Sequence, residues 1–348
     1  MECGILHAMN VVSIRVWSLC FVVNLMLVCT SMLYARDVVV VGVNDLHSQV
    51  ERVPAFAACL QEERNANPEL LLVGTGDIFT DGESLSFVDR LQTVSELMNL
   101  LQMDALTLGN HEFDHGNEKL IELLDNGEFQ VVCANCRIEG ADKIKPYTIL
   151  EREGLRIGII GLVTTNESDF SNAELKNVEF APAFEVIESF RELRSQCNIL
   201  IVLSHLGYAG DLQLARLFPE ADAIVGAHSH TVLPEGRLEN GVLIVQAGYG
   251  LSHYSKLVFS VEAGKVIRKQ GQAVPVAGEV EEPRFSQYVE SARAHPIRIL
   301  MRRAKLRMMG APVLVMCLLS NMLAVCVDLL LSWCRRRAGS PISSPAGR

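Results

Sequence analysis

Five short segments carry side chains able to bind cations or move protons, and each follows an apolar run. The first, N-D-L-H, sets Asp45 and His47 two residues apart, so one loop can offer a carboxylate oxygen and an imidazole nitrogen to the same ion. The second, G-T-G-D, places Asp77 behind Gly76, where the backbone can be approached closely. A carboxylate there has two oxygens and can bridge two cations about 4 Å apart, which binuclear hydrolysis requires. The third, G-N-H-E-F-D-H-G from Gly109 to Gly116, is the densest. Asn110 offers a neutral amide oxygen to a cation, and His111 beside it need not be a ligand. Asp114, three residues on, can orient that imidazole and hold its proton. The fourth, S-H-L-G-Y, carries His205, and the fifth, G-A-H-S-H-T, carries His228 and His230.

Each segment alone has a plainer explanation. Asp45 and His47 could be solvated or capping groups, Asp77 a helix cap, and Asn110 or Asp114 part of a turn before the next helix. A lone histidine at a strand end is usually hydrogen-bonded and structural. Together the segments are harder to dismiss, because H-x-H after one strand and His205 after its neighbour bring three imidazoles to adjacent loops.

The elements that must position these groups are short apolar runs alternating with amphipathic stretches, the pattern of a layered α/β domain. Strands are expected to begin near Asp37, Leu70, Ala105, Phe129, Arg156, Ile199, Ala223 and Val242. Helical spacing of apolar residues predicts helices over Ser84 to Leu101 and Phe184 to Leu193. Every segment with chemistry then falls at the carboxyl end of a strand, where open α/β folds gather their ligand sites.

In order, D-L-H, G-D, G-N-H-E-F-D, S-H-L-G-Y and G-A-H-S-H resemble the motifs of calcineurin-like metallophosphoesterases, specifically the 5'-nucleotidase and UDP-sugar hydrolase branch. The likeness runs from about Val38 to about Val261. Ala227 departs from it, because a second glycine is common there. The resemblance implies a four-layer α-β-β-α sandwich with mixed sheets and two divalent cations, compatible with zinc, manganese, iron or cobalt. Asp45, His47, Asp77 and His230 would hold one cation; Asp77, Asn110, His205 and His228 would hold the other. His111, oriented by Asp114, would stabilise phosphoryl charge or protonate the leaving oxygen. The implied reaction is hydrolysis of a small-molecule phosphate ester, a nucleotide by branch membership. A phosphodiesterase or other ester hydrolase on the same core, or a non-catalytic exported binding protein, are the alternatives. Branch members typically add a C-terminal substrate-gripping domain, which is expected to be missing here; the segment from Cys317 is only faintly like its opening.

Bulk properties agree with that direction. A net charge of -10 on 348 residues leaves no broad basic surface for nucleic acid, so phosphate chemistry on this chain implies bound cations. With 6% aromatic residues there is little material for stacking single-stranded nucleic acid, so no nucleic-acid partner is expected. Residues 1–35 contain the apolar run Val16 to Ala35 after Arg15, read as a signal peptide or an N-terminal anchor. The catalytic domain is expected over 36–275 and a basic helical linker over 276–310. Residues 311–334 form an apolar segment, either a transmembrane helix or the remnant of a truncated domain, and 335–348 a disordered tail. An exported protein follows, periplasmic or at the cell surface, with membrane association through its terminal segments. Of the ten cysteines, Cys133 and Cys136 form a C-x-x-C with no second pair to complete a zinc site, and they read as strand-end residues.

Overall fold

The computed structural model describes residues 35–79, 90–170, 175, 177–278 and 280–294. The expected leader, the apolar segment 311–334 and the tail lie outside the described residues, as does the start of the helix expected from Ser84.

Two mixed sheets face each other. The first contains β1 (Arg36–Val43), β2 (Leu71–Thr75), β3 (Ala105–Thr107), β4 (Gln130–Val132), β6 (Ile144–Lys145), β14 (His253–Glu262) and β15 (Lys265–Pro275), in the order β15-β14-β1-β2-β3-β4-β6. The second contains β7 (Tyr147–Arg152), β8 (Leu155–Val163), β10 (Ile199–His205), β11 (Ala223–Gly226), β12 (Arg237–Glu239) and β13 (Val242–Val245), in the order β12-β13-β11-β10-β8-β7. β5 (Cys136–Ile138) and β9 (Val178–Phe180) form a separate antiparallel ribbon. The strands from β1 through β4 run parallel, as do β8, β10, β11 and β13, so their carboxyl ends emerge together.

Strand periodicity explains the four layers. Side chains alternate between the faces of a strand. Along β1, Val38 and Val40 enter the core between the sheets, whereas Val39 and Val41 pack outward. Along β10, Ile199, Ile201 and Leu203 face the inter-sheet core while Leu200 and Val202 face the opposite way. Strands buried on both faces read as unbroken apolar runs, which made them visible in the sequence. The outer face of the first sheet is covered by helices Val53–Ala66, Arg90–Leu100 and Asn117–Asp125, joined in the same core by Phe285 and Val289 of helix Pro283–Ala294. The second sheet is covered by helix Gly207–Leu217 and by the segment from Ala183.

That last segment differs from the helix expected over Phe184 to Leu193. One α-turn, Ala183–Val186, passes into a 3₁₀ helix over Ile187–Gln196. Phe184, Ile187, Phe190 and Leu193 all pack on the second sheet. Their spacing of three matches the 3₁₀ repeat better than the α repeat of 3.6. Cys133 and Cys136 are buried free thiols flanking the turn between β4 and β5, in the strand-end positions expected of them.

Candidate metal centre

The five loops converge at the carboxyl ends of β1, β2, β3, β10 and β11. Asp77 is at the centre. Its Oδ1 accepts the His111 backbone N–H at 2.9 Å. Its Oδ2 lies 3.1 Å from His205 Nε2 and 3.8 Å from His47 Nε2. Three overlapping groups could each hold a cation: Asp45, His47 and His230; His47, Asp77 and His111; and Asp77, His205 and His228. Asn110 joins the last through its Oδ1, 3.2 Å from His205 Nε2. His47 and His230 approach to 3.1 Å between their Nε2 atoms, and His230 Nε2 lies 3.5 Å from Asp45 Oδ1. All nine residues expected from the sequence therefore meet in one place. The donors are oxygen and nitrogen with no thiolate, a set that fits borderline divalent metals.

Backbone strain accompanies the convergence. Asp45, His47, Asp77, His228 and His230 all adopt left-handed φ, between 48° and 73°. Such conformations cost on the order of 1–3 kcal/mol each in non-glycine residues and persist where surrounding contacts over-determine them. Those contacts can be named. Glu112, fully buried, accepts the N–H groups of Asp77, Ile78 and Phe79 at 2.8, 2.7 and 3.0 Å and that of Gly109 at 2.6 Å. Asn44 Nδ2 donates to Asp45 Oδ2 at 2.7 Å and to the Gly248 carbonyl at 2.6 Å. Gln246 donates to the Ala227 carbonyl at 2.7 Å and accepts from Ser229 Oγ and Thr231 N, which fixes the H-x-H loop. Glu112, Asn44 and Gln246 were not singled out from the sequence. Of the three, only Glu112 carries a signal in the sequence, as an acid inside the dense G-N-H-E-F-D cluster.

Close packing also explains two sequence features. A Cβ on Gly109 would sit 2.2 Å from Asp77 Oδ1, and one on Gly76 would sit 2.4 Å from Gly109 N. The Ala227 departure is harmless, because the crowded residue is its neighbour. A Cβ on Gly226 would lie 2.0 Å from Asp211 Oδ2, whereas Ala227 is buried outside the left-handed region.

Electrostatics divide the imidazoles. Burial pulls His47 and His228 below their ordinary value, which favours the neutral ring with a free lone pair. Burial also opposes charge on His205, but the adjacent Asp77 carboxylate outweighs it and raises His205 to about 10. The same contact holds Asp77 well below the usual carboxylate range despite its burial. His111 differs in kind. Its Nδ1 is 2.8 Å from Asp114 Oδ2, and that hydrogen bond, against partial burial, lifts it to about 9. His111 thus keeps a proton near neutral pH and leaves Nε2 free. Beside the site, half-exposed Tyr249 stacks on His230 with ring centroids 4.8 Å apart and planes at 19°.

Comparison with known proteins agrees with this geometry. The family model described as Calcineurin-like phosphoesterase matches residues 38–232. A 5'-nucleotidase-related protein of Glossina morsitans morsitans is 35% identical over 252 residues, covering 64% of this chain and 45% of the relative. The 5'-nucleotidase of Homo sapiens is 30% identical, covering 58% of this chain and 39% of that protein. The crystal structure of a 5'-nucleotidase precursor from Thermus thermophilus superposes with a TM-score of 0.66 at 28% identity, over 76% of this chain and 60% of the other. The chain therefore spans less than half the length of the two curated relatives. The four-layer α/β metallophosphoesterase fold expected from the sequence is the one observed.

Proposed function

Because the chain belongs to the calcineurin-like phosphoesterase family, we propose that it hydrolyses phosphate monoesters with two divalent cations, acting on nucleotides in the manner of a 5'-nucleotidase. The observation that carries this reading is the Asp77 carboxylate, which groups with His205 and His228 on one side and on the other lies 3.8 Å from Nε2 of His47, itself grouped with Asp45 and His230. Asp45, His47 and His230 complete one site around it; Asn110, His205 and His228 complete the other. Bound there, divalent cations supply charge neutralisation at phosphoryl oxygens and acidify water.

The chain's own residues do the rest. His111, hydrogen-bonded through Nδ1 to Asp114, presents Nε2–H to a leaving-group oxygen as acid or as charge stabiliser. Gly76 and Gly109 let the Asp77 and Asn110 loops touch, and Glu112 staples them together. Tyr249 adds an exposed aromatic surface next to His230 on which part of an ester could rest.

Export is part of the proposal, supported by the apolar run from Val16 to Ala35; membrane association rests on that run and on 311–334. Among the described residues no helix is long and apolar enough to cross a membrane. The test is phosphate release by the full chain with added Mn²⁺ from 5'-nucleotides, nitrophenyl phosphate and bis-nitrophenyl phosphate. Release from the monoesters is expected. A metal-loaded protein that hydrolyses none of them would have a binding role instead, and a preference for the diester would reassign the substrate class.

A further inference from the structure

A sixth strand-end loop reaches the site, and none of the five sequence motifs contains it. After β8 the chain runs through Thr164 and Asn166 into a 3₁₀ turn, Glu167–Asp169. Asp169 ends that turn and touches two of the proposed ligands in different ways. Its backbone carbonyl accepts Asn110 Nδ2 at 2.7 Å. Its Oδ2 lies 3.3 Å from His228 Nε2, in position to accept the ring N–H. The carboxylate is itself held, because Thr164 Oγ1 donates to Oδ2 at 2.8 Å and Asn166 Nδ2 donates to Oδ1 at 3.1 Å.

Both contacts have chemical consequences. An amide side chain can turn either its oxygen or its nitrogen toward a cation, and only the oxygen binds. With Nδ2 committed to the Asp169 carbonyl, Oδ1 is the atom left facing His205 Nε2, at 3.2 Å. An imidazole whose one nitrogen donates to a carboxylate has its tautomer fixed and its other nitrogen made more basic. His205 has a comparable arrangement, with Nδ1 2.7 Å from the Thr75 carbonyl. The three ligands that accompany Asp77 at one site therefore each have a fixed partner, and Asp169 supplies it for two of them. His47 and His230, at the other site, have no contact of this kind with Asp169 among the interactions described.

We infer that Asp169 is a positioning residue for one of the two cations, the one shared by Asp77, Asn110, His205 and His228. This rests on the two-cation reading above. The carboxylate arm acts through His228 and the backbone arm through Asn110, so a side-chain substitution removes only the first.

The test is calorimetric titration of the chelator-stripped full chain with Co²⁺, comparing wild type, Asp169→Asn and Asp169→Ala. Outer partners of metal ligands typically change affinity by about 10- to 100-fold. Wild type should bind two equivalents. Asp169→Ala should weaken one of them about 10- to 100-fold and leave the other unchanged, while Asp169→Asn, whose amide oxygen still accepts, should weaken the same one less. Two unchanged affinities in both variants, or equal weakening of both cations, would overturn the role. If Asp169→Ala does not fold, the Asn variant decides alone, because it keeps the side-chain shape. Failure of the wild type to bind two equivalents would instead strike the two-cation reading.

Discussion

The proton on His111 has an identifiable origin. Asp114 raises the imidazole to about 9, so the pair should remain in its acidic form through neutral pH. Replacing Asp114 with Asn removes the main cause, and the alkaline limb of the phosphate-release profile should move to lower pH. A profile that does not move would sever the pair from the chemistry. His111→Ala should lower turnover about 100-fold or more while both cations remain bound, since a ring that keeps a proton on each nitrogen has no lone pair to give a cation. Loss of metal in that variant would make His111 a ligand, as its grouping with His47 and Asp77 would permit. Glu112 is different, because it touches four backbone N–H groups and none of the reacting atoms. Glu112→Gln would turn an amide N–H₂ toward at least one of those donors. It should destabilise the fold by about 1–3 kcal/mol in denaturant titration; a neutral result would contradict the stapling role.

Among the elements, the parallel strands matter most, because they deliver their carboxyl ends to one edge. They were legible as unbroken apolar runs, and β1, β2, β3, β4, β8, β10, β11 and β13 lie where such runs predict. The hairpin of β14 and β15 was not legible. β15 is an edge strand with only Ala273 buried, and its Lys265, Arg268, Lys269 and Gln270 break any apolar pattern. The proposed ligands stood out in the sequence because their residue types are specific. Asp169, Asn44 and Gln246 could not, because their roles depend on which loops meet, a fact of tertiary packing. Gly109→Ala should displace Asp77 and lower metal content together with activity; wild-type metal content would contradict the close approach. Asp211, on the helix after β10, is fully buried against Ser204 and Gly226, and burial pushes it up to about 8. A carboxyl raised when folded contributes stability below its ordinary value near 3.8 and loses it as pH rises through about 8. The melting temperature of the chelated wild type should thus fall relative to Asp211→Asn between about pH 4 and about pH 8. Parallel curves would show that Asp211 keeps its charge when folded.

For the whole molecule, the two sheets are bound to each other by the site as well as by the core. Asp77 extends from the first sheet and His205 from the second, and they meet at 3.1 Å over the apolar interface. Asp45 likewise accepts the backbone N–H of His228 across that boundary. Cation binding should therefore stabilise the pairing of the sheets, by mass action on the folded state. The measurement that bears most directly on the account is metal content and phosphate release of the full chain carrying Asp77→Asn, beside wild type, with circular dichroism to establish folding. The shared-carboxylate site predicts two equivalents of metal in the wild type, one or fewer in the variant, and loss of phosphate release. A folded Asp77→Asn protein that retains two equivalents and wild-type release would contradict it.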